Sequence, residues 1–261
     1  MPRPPSRTVF VLVPGASQSP SHYGYLLHLL HSRGYPTFSA LLPSTGSGKN
    51  VTTQDDTDYV RERMLLPILD TEEHDVIMVM HSYSGVPGSA AALGLGKADR
   101  AAKGKSTSVL GQIFISSLLI TGGDGKDVVA TLGGTLPPHI SVDKANGILT
   151  CDDPGPPLYG DVEPKELQDV IVMSTLCPSY ASWHSPCPRA SFDSEDFKGR
   201  IAFIRTVKDQ GIPFDVQNMM IQGTGVDWII KDMDTGHSPQ LVEPEKLCDM
   251  LVELGKQFEK L

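Results

Sequence analysis

No stretch of this 261-residue chain is apolar for the ~20 residues that a bilayer-crossing helix requires. Cysteine is scarce. Cys151, Cys177, Cys187 and Cys248 show neither CxxC nor metal-finger spacing, and a chain this long needs no stapling. They are expected as free thiols in a reducing compartment. Positive charge is outnumbered, 22 Lys and Arg against 31 Asp and Glu, and the net charge of −9 excludes a general pull toward nucleic acid or anionic membrane. No G-x-G-x-x-G opens a helix, and the carboxylates and histidines lack metal-ligand spacing. Chemistry without a metal or organic cofactor is therefore expected. Gly46-Ser47-Gly48-Lys49 has the ending of a phosphate loop. However, it lacks the upstream Gly, and Asn50 stands where Ser or Thr is needed, so it is taken as an ordinary loop.

What remains is ordinary globular composition, 39% apolar and 20% charged, in a length that α/β folds often use as one domain. Arg3, Arg7 and Val9–Val13 faintly mimic a leader, but the apolar run is short and stops at Pro14-Gly15, as a first core strand would. Asn50-Val51-Thr52 matches a glycosylation sequon that carries no meaning without secretion. The expectation is a soluble cytoplasmic protein with no membrane span and no nucleic-acid partner. Its oligomeric state is not legible.

Strands and helices alternate through the first part of the chain, which argues for a parallel sheet covered on both faces. Strands are expected at Val9–Val13, Thr37–Leu42, Val76–Met80 and Gln112–Leu119, and helices at Tyr23–Arg33, Asp55–Leu69 and Gly85–Leu95. Lys97–Lys105 is expected as a solvated basic loop. Regularity lapses over 121–192, rich in Gly and Pro, apart from a helix at Pro164–Leu176; a long irregular excursion in an α/β chain suggests a lid. It resumes with a strand at Ile201–Val207, a helix near Phe214–Ile221, a strand near Trp228–Met233 and a closing helix Pro244–Phe258.

The chemistry concentrates at His81-Ser82-Tyr83-Ser84-Gly85, directly after the apolar run Val76–Met80. A strand that runs into a Ser among small residues, and then into an Ala-rich helix, is how a nucleophile elbow is built. A serine hydroxyl is a weak nucleophile until a histidine takes its proton and a carboxylate orients the ring. Asp209 follows the strand Ile201–Val207 and His237 lies in Gly236-His237-Ser238-Pro239, so both fall on loops at the carboxyl edge of the sheet. Asp232 and Asp234 stand nearer His237 in sequence and compete for the acid's role. His81 is expected to pack or to bond backbone.

These fragments, with Val11-Leu12-Val13-Pro14-Gly15-Ala16 and Lys208-Asp209-Gln210-Gly211-Ile212-Pro213, occur in one order along nearly the whole chain. In this the chain resembles the α/β-hydrolase superfamily, in particular the small branch of plant methyl-ester esterases and hydroxynitrile lyases with their fungal relatives. The resemblance implies a mainly parallel central sheet with helices on both faces and a lid (cap) inserted after the sixth strand. The core would comprise residues 1–120 and 193–261, and the cap 121–192. It implies Ser82 as nucleophile, His237 as base and Asp209 as orienting acid. The backbone N–H of Tyr83 and that of Ala16, or Ser17, would form the oxyanion hole. Tyr159, Tyr180, Trp183 and His184 are candidates for an aromatic substrate pocket. Two positions depart from the family pattern: Met80 stands where the elbow usually has a small residue, and Pro14 where a His is common.

The expected activity is hydrolysis of an ester or lactone of a small, largely apolar molecule, with a secondary metabolite implied by the fungal relatives. A lyase or C–C bond hydrolase with the same triad is the alternative, although Ser238 replaces the Lys that hydroxynitrile lyases carry after the histidine. A ligand-binding, receptor-like module is the third reading.

Overall fold

The computed structural model describes residues 8–47 and 50–261. Arg3 and Arg7, weighed above for a leader, and the Gly48-Lys49 half of the supposed phosphate loop lie outside these residues. Six strands form one parallel sheet in the order β2-β1-β3-β4-β7-β8. They are β1 (Thr8–Val13), β2 (Thr37–Ser39), β3 (Asp75–His81), β4 (Val109–Ile115), β7 (Ile201–Thr206) and β8 (Ile229–Met233). Between β4 and β7 the chain makes a two-stranded antiparallel ribbon, β5 (Ser141–Asp143) with β6 (Ile148–Thr150). Sequence patterning did not show it, because three-residue strands carry too little alternation to stand out.

The helices, in chain order, are α1 (Gly24–Ser32), α2 (Thr53–Tyr59), α3 (Gly85–Ala91), α4 (Lys97–Ala102), α5 (Val128–Thr131) and α6 (Gly155–Tyr159). They continue with α7 (Lys165–Met173), α8 (Ala181–His184), α9 (Phe214–Gly223), α10 (Pro239–Val242) and α11 (Pro244–Lys260). Thr52 of the sequon caps α2, its hydroxyl accepting from Asp55 N while Asp55 accepts from Thr52 N. Beyond Tyr59 the helix continues in wider turns to Thr71, an arrangement that accommodates Pro67 and its missing N–H.

Alternate residues of each strand feed two cores. Val11, Val13, Met78 and Met80 pack with Met64, Leu65 and Val86 on one face. Phe10, Leu12, Ile77 and Val79 pack with α1 and α11 on the other. Leu247, Leu251, Leu254 and Phe258 form the buried stripe of α11 at helical spacing, each contributing about 1.5–3 kcal/mol. No helix among the described residues is long and apolar enough to cross a membrane.

Two expectations need correcting. Lys97–Lys105 is not a solvated loop, because α4 begins there. Asp196 accepts from Ala98 N and Asp99 N at its start, and the buried Arg100 donates to Thr107 O (2.8 Å) and Asp70 (2.8 Å). The cap comes from almost a hundred residues away, out of reach of a local pattern. The excursion over 121–192 leaves the sheet after its fourth strand in chain order. The count of six would need two strands ahead of β1, and among the described residues β1 is flanked only by β2 and β3.

The strand order reverses between β1 and β3, and the register aligns Val13 with Met80, His81 with Ile115, and Thr206 with Met233. The loops after β1, β3, β4, β7 and β8 therefore emerge on one edge, at the switch point where open parallel sheets bind ligands.

Candidate active site

Ser82 follows β3 at φ = +58°, a left-handed conformation that a non-glycine residue adopts only under constraint. The constraint is a set of hydrogen bonds. Ser82 O accepts from Leu118 N (3.0 Å) and Ser117 Oγ (2.6 Å). Ser84 Oγ accepts from His81 N (2.9 Å) and lies 2.7 Å from Val13 O. Close packing adds to this. A Cβ on Gly85 would fall 2.4 Å from Leu118 O, so the helix after the turn can approach β4 only with glycine there.

His237, on the loop after β8, places Nε2 3.0 Å from Ser82 Oγ and Nδ1 2.9 Å from Asp209 Oδ2. Asp209, on the loop after β7, also accepts from Thr206 Oγ1 (2.7 Å) and Ser116 Oγ, and from the N–H groups of Gly211 and Ile212 (2.8 Å each). Burial pushes its pKa up. The neighbouring His237 ring and the hydrogen bonds from His237, Ser116 and Ile212 outweigh that and hold it at about 2. An ionised Asp209 accepts from Nδ1–H, which leaves Nε2 free to take a proton from Ser82. The competing acids are engaged elsewhere: Asp232 with Arg205 (2.7 Å) and Asp234 with Lys208 (2.8 Å).

A second histidine supports the first. His81 is fully buried, with Nε2 2.7 Å from His237 O and Nδ1 2.7 Å from the Tyr23 hydroxyl. Burial, helped by the nearby His237, lowers its pKa to about 3, so it is neutral and donates through Nε2–H to the His237 carbonyl. Tyr23 in turn accepts from Gly15 N (3.1 Å). Sequence reasoning missed Tyr23 and Gln18, which share no motif with the serine and meet the neighbouring His81 only through the fold.

The loop after β1 is pinned by its carbonyls. Gly15 O accepts from Gln18 N (3.1 Å), Ala16 O from Thr45 Oγ1 (2.9 Å) and Ser17 O from Leu176 N (2.9 Å). Across a trans peptide the next N–H points the opposite way, so the N–H groups of Ala16 and Ser17 are turned from these anchors. Gly15, Ala16 and Ser17 line a cavity together with Ser82. Tyr83 begins the turn into α3, where the first N–H groups have no intrahelical acceptor. Its ring stacks on Trp183 at 6.1 Å, and its hydroxyl donates to the buried Asp56 (2.9 Å).

The cavity has a volume of about 390 Å³, within the range of small-molecule sites. Ser82 and His237 form its floor, and Leu132, Leu136, Ile140 and Trp183 from the 121–192 excursion form a wall. Gly236 N also donates to Asp161 of that excursion (2.5 Å), beside His237. Of the four aromatic candidates only Trp183 lines the cavity. Tyr159 is buried behind it, its hydroxyl near Gln18 Nε2 (3.4 Å) and Thr175 Oγ1 (3.2 Å), because α6 turns Leu158 to the cavity instead. Tyr180 and His184 stack on one another at 3.8 Å and are not among the lining residues. His139, which nothing in the sequence singled out, and Cys151, expected only as a free thiol, also line the cavity. Among the described residues no three of His, Cys, Asp and Glu gather as metal ligands do.

Comparison with known proteins adds to this geometry. The model of the alpha/beta hydrolase family matches residues 10–250. Alpha/beta hydrolase nvfD of Aspergillus novofumigatus is 26% identical over 259 residues, which cover 94% of this chain and 95% of that protein. A pyrethroid hydrolase from Sphingobium faniae superposes with a TM-score of 0.71 at 20% identity, covering 95% of this chain and 97% of its own. The methylesterase MES16 from Arabidopsis superposes with a TM-score of 0.69 at 17% identity, covering 95% and 99%. At such identities the structural likeness speaks for the fold.

Proposed function

This chain belongs to the alpha/beta hydrolase family, and we propose that it is a serine hydrolase cleaving an ester or lactone of a small, largely apolar molecule. The observation that carries this reading is the continuous chain Ser82 Oγ, His237 Nε2, His237 Nδ1, Asp209 Oδ2, with links of 3.0 and 2.9 Å. Hydrolysis is what the name of the pyrethroid hydrolase specifies for that protein, and ester hydrolysis what the name of the methylesterase specifies for its own.

In the proposed reaction Ser82 Oγ attacks the carbonyl carbon while His237 Nε2 takes the hydroxyl proton. The carbonyl oxygen becomes an oxyanion held by the N–H groups of Tyr83 and Ala16, with Ser17 as the alternative second donor. Each such donor is worth about 10²–10³ in rate. Collapse expels the alcohol, which receives the proton from His237 and leaves an acyl-Ser82. Water then attacks the acyl carbon, His237 again takes and returns the proton, and the acid departs. Asp209 stays ionised and holds the ring in the productive tautomer.

Residues 1–120 and 193–261 serve as the core in this reading, and 121–192 as a cap that excludes water and shapes the cavity. The apolar wall and the volume of about 390 Å³ suit a specialised small metabolite. Among the described residues neither Lys nor Arg lines the cavity, and Ser238 follows His237, which argues against holding a cyanide anion. The four unpaired cysteines favour a cytoplasmic setting.

Labelling with a fluorophosphonate tests the assignment. Wild type should label and hydrolyse p-nitrophenyl butyrate, Ser82→Ala should do neither, and His237→Ala should label far more slowly. Labelling that survives in Ser82→Ala would refute the nucleophile.

A further inference from the structure

We propose that His139 is the residue by which this cavity selects its substrate, hydrogen-bonding a hydroxyl or keto oxygen carried on an otherwise apolar, uncharged ester away from the scissile carbonyl. The inference rests on the hydrolase reading above and names the substrate class for it.

Among the described residues, the lining of the cavity contains no Lys, Arg, Asp or Glu side chain. Its polar side chains are few, and several are already engaged. Ser82 and His237 are bonded to each other. The Gln18 amide lies within reach of Tyr23, His81, Tyr159 and Ser238. Thr135 and Gln210 are exposed residues at the rim. Ser17 is half-buried and its hydroxyl has no partner among the described residues, but it lies on the loop after β1 beside Ser82, at the scissile carbonyl. Trp183 Nε1 also lacks a partner, but that atom is itself buried and not open to the cavity. His139 stands apart from these. It is half-buried, it faces the same cavity as Ser82, and among the described residues its ring has no hydrogen-bond partner. A ligand that fills the cavity strips water from that ring. An apolar ligand leaves the ring nitrogens unsatisfied, whereas one with a suitably placed oxygen replaces the lost water, and this asymmetry is how a buried polar group discriminates.

The charge state narrows the class. Burial lowers the His139 pKa, and the proximity of His237 lowers it further. A neutral imidazole offers one donor and one acceptor, so it suits a hydroxyl or a ketone and offers no cation to a carboxylate. With no Lys or Arg among the described lining residues, an anionic substrate would be buried there without a counter-charge, at a large penalty. The presentation is also rigid. Pro137 and Pro138 fix the backbone before His139, and Ile140 N donates to Pro137 O (2.9 Å), which closes a turn with His139 inside it.

The test uses p-nitrophenyl phenylacetate, its three ring-hydroxylated isomers and its 4-carboxy analogue, with wild type, His139→Leu, His139→Gln and Ser82→Ala. Wild type should prefer one hydroxylated isomer over the parent by roughly three- to tenfold in kcat/KM, the worth of one neutral hydrogen bond, with the gain in KM. The carboxylate should be the poorest substrate. His139→Leu should bring the hydroxyl-to-parent ratio close to one, and His139→Gln should restore part of it. Absence of any hydroxyl preference in wild type, or a preference that His139→Leu leaves intact, overturns the proposal. Cleavage that persists in Ser82→Ala sinks the hydrolase reading instead, so the two failures are distinguishable.

Discussion

Met80 and Gly88 share one space. A Cβ built on Gly88 would fall 2.6 Å from Met80 Sδ and 2.8 Å from its Cγ. The elbow therefore tolerates a bulky residue two positions before Ser82 because the helix that follows has nothing to place there. Gly88→Ala should destabilise the protein by about 1–3 kcal/mol through overpacking and reduce kcat by displacing the turn at Ser82. Adding Met80→Ala should recover part of both, giving a coupling above about 1 kcal/mol in a thermodynamic cycle. Simple additivity of the two changes would show that they do not share the space.

The contact between His81 and His237 should matter for rate. His81→Phe removes the donor 2.7 Å from His237 O, leaving a buried carbonyl and the Tyr23 hydroxyl without that partner. Stability should fall by about 1–3 kcal/mol, as for buried groups left unsatisfied. If His237 is the base proposed above, kcat should drop more than tenfold once it is no longer held, while KM changes little. A variant that is destabilised yet keeps full kcat would mean that His81 only fills space.

Ser116 offers a way to test the role proposed for Asp209. Its Oγ donates to Asp209 and lies 3.2 Å from His237 Nδ1. Ser116→Ala withdraws one of the bonds that hold the Asp209 pKa at about 2 against its burial, so that pKa should rise but stay well below 7. Activity at pH 7 should fall less than tenfold. Asp209→Ser should lose about 10³–10⁴ in kcat, and adding Ser116→Asp should regain at least an order of magnitude. A double variant no faster than Asp209→Ser would limit Ser116 to supporting the acid.

Asp56 should shape the pH dependence of stability. Burial pushes its carboxyl up to about 6, and the hydrogen bonds from Ser44 and Tyr83 only partly offset this. Between about pH 3.8 and 6 the folded chain keeps a proton that the unfolded chain has released, so stability falls as pH rises through that window. His81, held neutral, has the opposite sign in much of the same range, and the wild-type curve alone would blur the two. The difference between Asp56→Asn and wild type isolates Asp56. It should shift in favour of the variant by up to about 3 kcal/mol from pH 4 to 7, measured by urea unfolding. A flat difference would show that Asp56 is ionised in the folded protein throughout.

The strands, the main helices and the order Ser82, Asp209, His237 were legible because each rests on short-range signals. An apolar run predicts a buried strand, and a turn after a parallel strand points to the sheet's carboxyl edge. Local pattern failed where the deciding partner was remote. Asp196 caps α4 from a distant part of the chain, and Thr45 and Leu176 pin the loop after β1. Of Asp209, Asp232 and Asp234, it is Asp209 that lies within hydrogen-bond reach of His237, while Arg205 and Lys208 pair with the other two.

By itself, then, the sequence determined a parallel α/β sheet and the placement of Ser82, Asp209 and His237 at its carboxyl edge, since strand period and turn chemistry are encoded within a few residues. Only the tertiary structure decided that Ser82, His237 and Asp209 meet at 3.0 and 2.9 Å and that Gly88 makes room for Met80. It also decided that His139 and Trp183 face the cavity while Tyr159, Tyr180 and His184 do not. Which side of a short element faces a cavity depends on everything packed against its other side, and that information is spread over the whole chain.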